Sequence, residues 1–400
     1  MTAGVASRLA AASTVGRVVR DGAYSNVVLE HETSELSSEE AAHARRLAYD
    51  ALRLLTWVEP AIAEAAGRPL TSIESPVADL LRVCGAELAG GQAPPRAVVH
   101  TGVEAIRRLG RPRAAGFVNA VLRRLGERPP GPAGDELWSV HAMPEWLGRS
   151  LVDAWGEAEA DAFFSASNRP AARSGRLRPG APAPPGGSPF PAVPSAFLLG
   201  DGPIPPGVVV QDPASVAVGL AVNAAPGSVV ADLAAAPGGK TLHLVDQVGA
   251  TGLVVALDRH ERRTRDAARR VPDARWVAGD ATRPPFCPAS FDRVLLDAPC
   301  SGLGTLRRRP EIRHRATADG VRRLAVLQRS MIEAAIPLLR SGGLLVYSVC
   351  TITPEETVDT IAGLGFEPPA GLPGRRWGDG ILLGPHLGGT DGMFVAQLQG

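Results

Sequence analysis

Asp232-Leu233-Ala234-Ala235-Ala236-Pro237-Gly238-Gly239-Lys240-Thr241 decides the fold. An apolar run (Ser228–Leu233) carries an acid near its end, gives way to small residues, and then opens into a helical pattern. Small residues let backbone approach a ligand closely, and a helix starting at such a loop turns its free N–H groups toward it. Two readings compete. Ala234–Thr241 matches the phosphate loop G-x-x-x-x-G-K-[ST] with one mismatch, Ala234 at the first glycine. The alternative is a nucleoside-cofactor loop of a doubly wound sheet. The acids that follow separate the two. Asp258 ends the next apolar run, where a carboxylate accepts from both ribose hydroxyls. Asp280 follows the third run, in Gly279-Asp280-Ala281, in reach of an adenine edge. A phosphate loop needs neither acid, so the spacing favours the nucleoside cofactor. Asp258 taken alone also suits a helix N-cap.

Outward from this loop, apolar β-rich runs alternate with helical patterns: Ser228–Leu233, Gly252–Leu257, Arg275–Val277, Arg293–Leu296 and Gly343–Val349. Such alternation predicts an α/β class with a doubly wound, mostly parallel sheet from about residue 207 to 400. Ligands in these sheets bind beyond the carboxyl ends of the strands, where Asp232, Asp258 and Asp297 fall.

The first third reads as all helix, over residues 1–130. Ser37-Ser38-Glu39-Glu40 is a helix start, and Ala44, Leu47, Ala48, Ala51, Leu55 and Val58 then share one face. Val99, Val103, Ile106 and Leu109 mark a second face ending at Gly110. Val118, Val121, Leu122 and Leu125 mark a third ending at Gly126. Residues 96–128 carry eight arginines against Glu104 and Glu127, a patch suited to phosphate contacts or to a solvated helix face. Residues 131–206 read as linker and small subdomain, with a short helical stretch at 144–164. The part from Pro170 to Pro206 holds 11 prolines and 6 glycines, and predicts irregular surface.

Composition sets the outer limits. Apolar residues are 45% and charged residues 21%, a globular profile. No apolar run is long enough to span a membrane, and Met1–Arg20 has no secretory h-region. The four cysteines (Cys84, Cys287, Cys300, Cys350) form no CxxC pair, which argues against disulfide or zinc scaffolds and suits the cytoplasm; no metal is expected. Cys84, beside Leu80, Leu81 and Leu88, reads as a small buried hydrophobe, and Cys287 is placed with it. Lys240 is the single lysine beside 41 arginines, which marks a place where a compact point charge is needed. Nothing demands more than a monomer.

Cys300, in Asp297-Ala298-Pro299-Cys300-Ser301-Gly302, and Cys350, in Tyr347-Ser348-Val349-Cys350-Thr351, lie at two strand ends of one sheet. Two thiols and a carboxylate beside S-adenosylmethionine suit methylation of cytosine carbon 5. A thiolate adding to carbon 6 makes carbon 5 nucleophilic, an acid stabilises charge at N3, and a base then frees the product. Shortly after Cys300, Arg307, Arg308, Arg309 and Arg313 suit phosphate clamping, with a solvated arginine-rich loop as the alternative.

Taken in order, Ala234–Thr241, Asp297–Gly302, Arg307–Arg313 and Tyr347–Glu356 resemble the Nop2/Sun family of RNA (cytosine-5) methyltransferases. The resemblance implies Cys350 as nucleophile, Cys300 as the thiol that assists release, Asp297 as partner of the cytosine, and Lys240 near cofactor and base. It implies that S-adenosylmethionine lies along Ala234, Ala235, Ala236, Pro237, Gly238, Gly239 and Lys240, with Asp258, Asp280 and Asp297. Ala234 stands where many members have Cys, and Thr357 where Asn is common. Ala44–Leu55, Pro94–Arg107 and Ala114–Leu125 ("AAGFVNAVLRRL") resemble a NusB-type RNA-binding domain. The expected substrate is RNA, foremost small-subunit ribosomal RNA, with transfer RNA as the alternative. A non-catalytic NusB-type binding protein is the competing class, set against intact Lys240, Asp297, Cys300 and Cys350. An ATPase built on Ala234–Thr241 and a DNA methyltransferase that attacks through Cys300 complete the alternatives.

Overall fold

The computed structural model describes residues 4–200 and 202–400, so Met1–Ala3 of the leader reading lie outside the described residues. Contacts divide the chain into two units. The first runs to Asn168 and takes in Arg308–Arg315, and the second comprises Arg169–Arg307 and Ala316–Gly400.

The first unit is helical. Its long helices include Val5–Asp21, Ser38–Arg53, Leu55–Ala66, Ser75–Ala89, Pro95–Arg108 and Ala115–Glu127. Ser37 caps its helix as the sequence predicts, its hydroxyl accepting from the Glu40 amide at 3.3 Å. The face expected to run from Ala44 to Val58 is split by a bend at Leu54 between two helices. In Pro95–Arg108 the buried stripe is turned toward Val98, Gly102, Ala105 and Ile106, with Val99 and Val103 at its margin. Gly102 allows this: a Cβ there would sit 2.7 Å from Leu122 Cδ1. The core joins Leu47, Leu52, Ile62, Leu80, Leu81, Val118 and Leu122. Cys84 is buried within it, and burial pushes its thiol up to about 12. Cys287, read as buried from sequence, is exposed. The helical stretch at 144–164 is two helices, Glu145–Trp155 and Glu157–Ser167, broken at Gly156 (φ 82°), and both belong to this unit.

The Pro/Gly-rich segment expected to be irregular folds into a four-stranded antiparallel sheet. Its strands are β1 (Ser174–Leu177), β2 (Ser188–Pro189), β3 (Ala196–Leu198) and β4 (Val208–Val210), in the order β2-β3-β1-β4. Proline is compatible with such short edge-rich strands. Arg176 on β1 is buried against Asp246 at 2.8 Å.

The main sheet follows: β5 (Val229–Asp232), β6 (Leu253–Asp258), β7 (Arg275–Ala278), β8 (Phe291–Asp297), β9 (Leu339–Val349), β10 (Arg375–Trp377), β11 (Gly380–Leu383) and β12 (Met393–Gln399). Their order is β10-β11-β12-β9-β8-β5-β6-β7. The pairs from β7 to β9 are parallel, and β10–β12 extend the sheet antiparallel. Successive residues enter opposite cores. Val294 and Leu296 pack on one face with Ile332, and Leu295 on the other with Val216 and Leu244. The chain winds outward through β5, β6 and β7 and then returns to β8 beside β5. That reversal opens a crevice at the carboxyl ends of β5 and β8.

Candidate active site

The loop leaving β5 is tied down by its own backbone. The Ala235 amide donates to Leu257 O at 2.9 Å. The Ala236 amide donates to Asp258 Oδ2 at 3.1 Å. Gly238 then takes φ 101° ahead of helix Gly239–Val248. A Cβ on Gly238 would press Val271 Cγ2 at 3.2 Å, whereas one on Gly239 would meet nothing nearer than Gln211 Nε2 at 3.9 Å. The loop is therefore a small-residue cradle with open space over a helix N-terminus, the form a nucleoside cofactor needs. Asp258 is buried at the end of β6, its other oxygen accepting from the His260 amide at 3.0 Å. The N-cap of the following helix is His260, so the cap reading of Asp258 is not realised. Asp280 is exposed beyond β7. Its Oδ1 accepts from the Thr282 amide and hydroxyl at 2.9 and 2.8 Å, and those bonds hold its carboxyl below the usual range.

Lys240 and Asp297 meet although 57 residues separate them. Lys240 Nζ donates to Asp297 Oδ2 at 2.7 Å, and the Ser348 hydroxyl on β9 donates to Asp297 Oδ1 at 2.8 Å. The lysine side chain is only 12% exposed. Burial opposes its charge, but Asp297, with Cys350 and Asp232 near it, holds the ammonium above the usual lysine value. Asp232, noted in the sequence only as a strand-end acid, lies behind this pair. It is buried, takes the Thr241 hydroxyl at 2.7 Å, and burial pushes its carboxyl up to about 7.

The two thiols converge. Cys300 Sγ and Cys350 Sγ stand 3.3 Å apart, because Asp297 on β8 pairs in register with Ser348 on β9 and each cysteine follows a few residues later. The Cys300 thiol is pushed well above its usual value by its hydrogen bond with Cys350, by burial, and by the charges of Cys350, Glu356 and Asp297. The loops are locked from behind. The Gly304 amide donates to Cys350 O at 3.0 Å, and the Gly392 amide to Gly304 O at 2.8 Å.

The expected arginine clamp comes apart. Arg313 is wholly buried in the first unit, donating to Arg53 O (3.1 Å), Ala142 O (3.2 Å) and Asn168 Oδ1 (3.0 Å). Burial and the neighbouring Arg53 charge push it down to about 9. A guanidinium occupied in this way has no face left for a phosphate, so the RNA reading of Arg313 fails. Arg307 is also occupied, donating to Gly389 O at 2.7 Å and pairing with Asp391, with its side chain 10% exposed. Arg308 is half-buried, and Arg309 stands in solvent. All eight arginines of 96–128 are exposed.

Known proteins fit this geometry. The sequence profile described as "16S rRNA methyltransferase RsmB/F" matches residues 220–367, and that of the NusB family matches residues 5–127. A ribosomal RNA small subunit methyltransferase B from Xanthomonas campestris pv. campestris is 34% identical over 99% of this chain and 97% of its own length. The chain belongs to the ribosomal RNA small subunit methyltransferase B family. Family membership makes it an enzyme that transfers the methyl group of S-adenosylmethionine to carbon 5 of a cytosine in RNA. The fold agrees. The crystal structure of PH0851 superposes with a TM-score of 0.82 at 22% identity, covering 99% of this chain and 98% of that one. NSun6 from Pyrococcus horikoshii, solved with an S-adenosylmethionine analogue, superposes with 0.57 at 21% identity, covering 65% of this chain and 98% of its own. No helix among the described residues is long and apolar enough to cross a membrane.

Proposed function

We propose that the enzyme methylates a cytosine of small-subunit ribosomal RNA through a covalent adduct on Cys350, working as a monomer in the cytoplasm. The observation that carries this reading is the convergence of the 3.3 Å thiol pair with the 2.7 Å Lys240–Asp297 pair at one crevice. Bound S-adenosylmethionine supplies an electrophilic methyl group. The residues that would hold it are the loop Ala234–Lys240, with Asp258 at the ribose and Asp280 at the adenine.

The Cys350 thiolate adds to cytosine carbon 6, favoured by the adjacent ammonium of Lys240. The carbon 5–carbon 6 π electrons move toward N3, where the proton shared by Lys240 and Asp297 neutralises them. Carbon 5, now nucleophilic, takes the methyl group. Cys300 lies 3.3 Å from Cys350 and takes the assisting role that the family pattern gives to the thiol after Asp297-Ala298-Pro299. It serves release: Cys300, after giving its own proton to solvent, takes the carbon 5 proton, the carbon 6–sulfur bond breaks with its electron pair returning to Cys350, and N3 gives its proton back to the Lys240–Asp297 pair. The exposed arginines of 96–128, three of which (Arg108, Arg111 and Arg128) pair at the surface with Glu104, Glu74 and Glu64, offer the RNA backbone a sequence-independent hold.

The test incubates the Cys300→Ala variant with S-adenosylmethionine and small-subunit RNA lacking the modification. A covalent protein–RNA adduct should accumulate, and sequencing its RNA names the target. An adduct formed instead by the Cys350→Ala variant would reverse the thiol roles. Absence of any adduct together with no methyl transfer by the wild type would remove the covalent route. Transfer to tRNA but not to rRNA would move the substrate.

A further inference from the structure

The two thiol loops share one buried anchor. The Glu356 side chain is wholly buried. Its Oε1 accepts from the Ser301 amide at 2.8 Å and from Gln328 Nε2 at 3.0 Å. Its Oε2 takes the hydroxyls of Ser301 at 2.5 Å, Thr351 at 3.0 Å and Thr353 at 3.2 Å. Ser301 follows Cys300 directly, and Thr351 follows Cys350 directly. The two hydroxyls also touch each other at 2.7 Å. Gln328 extends the net to Pro299 O at 2.9 Å, and the Tyr347 hydroxyl donates to Glu356 O at 2.8 Å. Two N–H groups and three hydroxyls converging on one side chain form the pattern of an acceptor-only carboxylate. Burying a charge is costly unless it is matched, and here the donors that match it come from both catalytic loops.

We propose that Glu356 is the positioning residue that sets the spacing of Cys300 and Cys350 by cross-linking the residue after each. This rests on the two-thiol reading above, but its geometric part stands without it. A carboxylate fits all five donors, whereas an amide presents N–H to some of them, so Glu356→Gln keeps the shape and breaks the cross-link.

The test needs a readout of thiol spacing that does not depend on catalysis. Phenylarsine oxide reacts with two close thiols, forming two As–S bonds and releasing water. The full-length wild type should bind one equivalent through Cys300 and Cys350, and lose that binding in Cys300→Ala. Glu356→Gln should bind it at least tenfold more weakly. Its affinity for S-adenosylmethionine should stay within about twofold, and kcat should fall roughly 10- to 100-fold with little change in KM. Thr351→Val, which removes one leg of the cross-link, should loosen the pair in the same direction and serves if Glu356→Gln does not fold. Unchanged arsenical affinity in the folded variants would overturn the proposal. Weakened arsenical binding in a protein whose wild type methylates no RNA would overturn the proposed function and leave the positioning role standing.

Discussion

Lys240 illustrates how much one residue carries. Its ammonium sits 2.7 Å from Asp297 in a place only 12% exposed, within the electrostatic reach of Cys350. An arginine fork is wider and planar, and cannot occupy that point without moving Asp297 or the loop. Lys240→Arg should therefore lower single-turnover methyl transfer at saturating S-adenosylmethionine by about 100-fold or more. Equal activity in the arginine variant would show that only the charge matters. This lysine was legible in the sequence because 41 other basic positions had become arginine. Asp232 was visible only as the acid at the end of a strand. Its raised carboxyl depends on burial, and burial is not written in the spacing.

At the scale of elements, two close contacts decide local behaviour. Gly304 and Gly392 meet backbone to backbone, so a Cβ on Gly304 would fall 1.9 Å from Gly392 O. Gly304→Ala must push the turn before β12 away from the Cys300 loop. The expected cost is about 1–3 kcal/mol of stability, read by denaturant unfolding, with a larger relative loss of activity. The second contact concerns helix Pro213–Val222 and helix Gly239–Val248, where a Cβ on Gly219 would lie 2.0 Å from His243 Nδ1. His243 is buried there, and burial, then the Arg176 charge, lowers it to about 3. In the unfolded chain it takes a proton near 6.5, so between 6.5 and 3 the unfolded state binds more protons than the native one. Stability from this group is present above 6.5 and is lost as pH falls. The loss is about 2 kcal/mol by pH 5. His243→Asn should flatten the decline of Tm between pH 7 and 5, and an unaltered slope would place the titration elsewhere. The alternation of strands and helices around these contacts was readable from hydrophobic period. The small sheet β1–β4 was not, because its strands are two to four residues long and rich in turn formers.

For the whole molecule, the arginine loop crosses from one unit of the chain into the other. Residues 308–315 lie in sequence between two elements of the second unit, yet they are part of the first. Arg313 satisfies Arg53 O, Ala142 O and Asn168 Oδ1, His314 bonds Leu52 O at 2.8 Å, and Glu311 takes the Ser25 amide at 3.3 Å. Arg313→Ala would leave two buried carbonyls and the half-buried Asn168 Oδ1 unmatched, at about 1–3 kcal/mol for each buried group. It should destabilise the protein by about 3 kcal/mol or more in equilibrium unfolding, with the salt dependence of RNA binding unchanged. A phosphate-binding arginine would do the opposite, leaving stability intact and making the slope of log K against log salt shallower by about one unit.

The sequence by itself determined the parallel sheet and singled out its small-residue loop and the four residues Lys240, Asp297, Cys300 and Cys350 that the structure brings together. A parallel sheet collects every strand's carboxyl end at one edge, so local signals at separate strand ends already share a place. Only the tertiary structure decided that Arg313 is buried rather than exposed, and that Glu356 joins both thiol loops. It also decided that a proline-rich stretch forms a sheet. The partners of Arg313 lie 145 to 260 residues away along the chain. Whether a charged side chain meets water or a buried acceptor depends on such non-local neighbours, which no period or motif encodes.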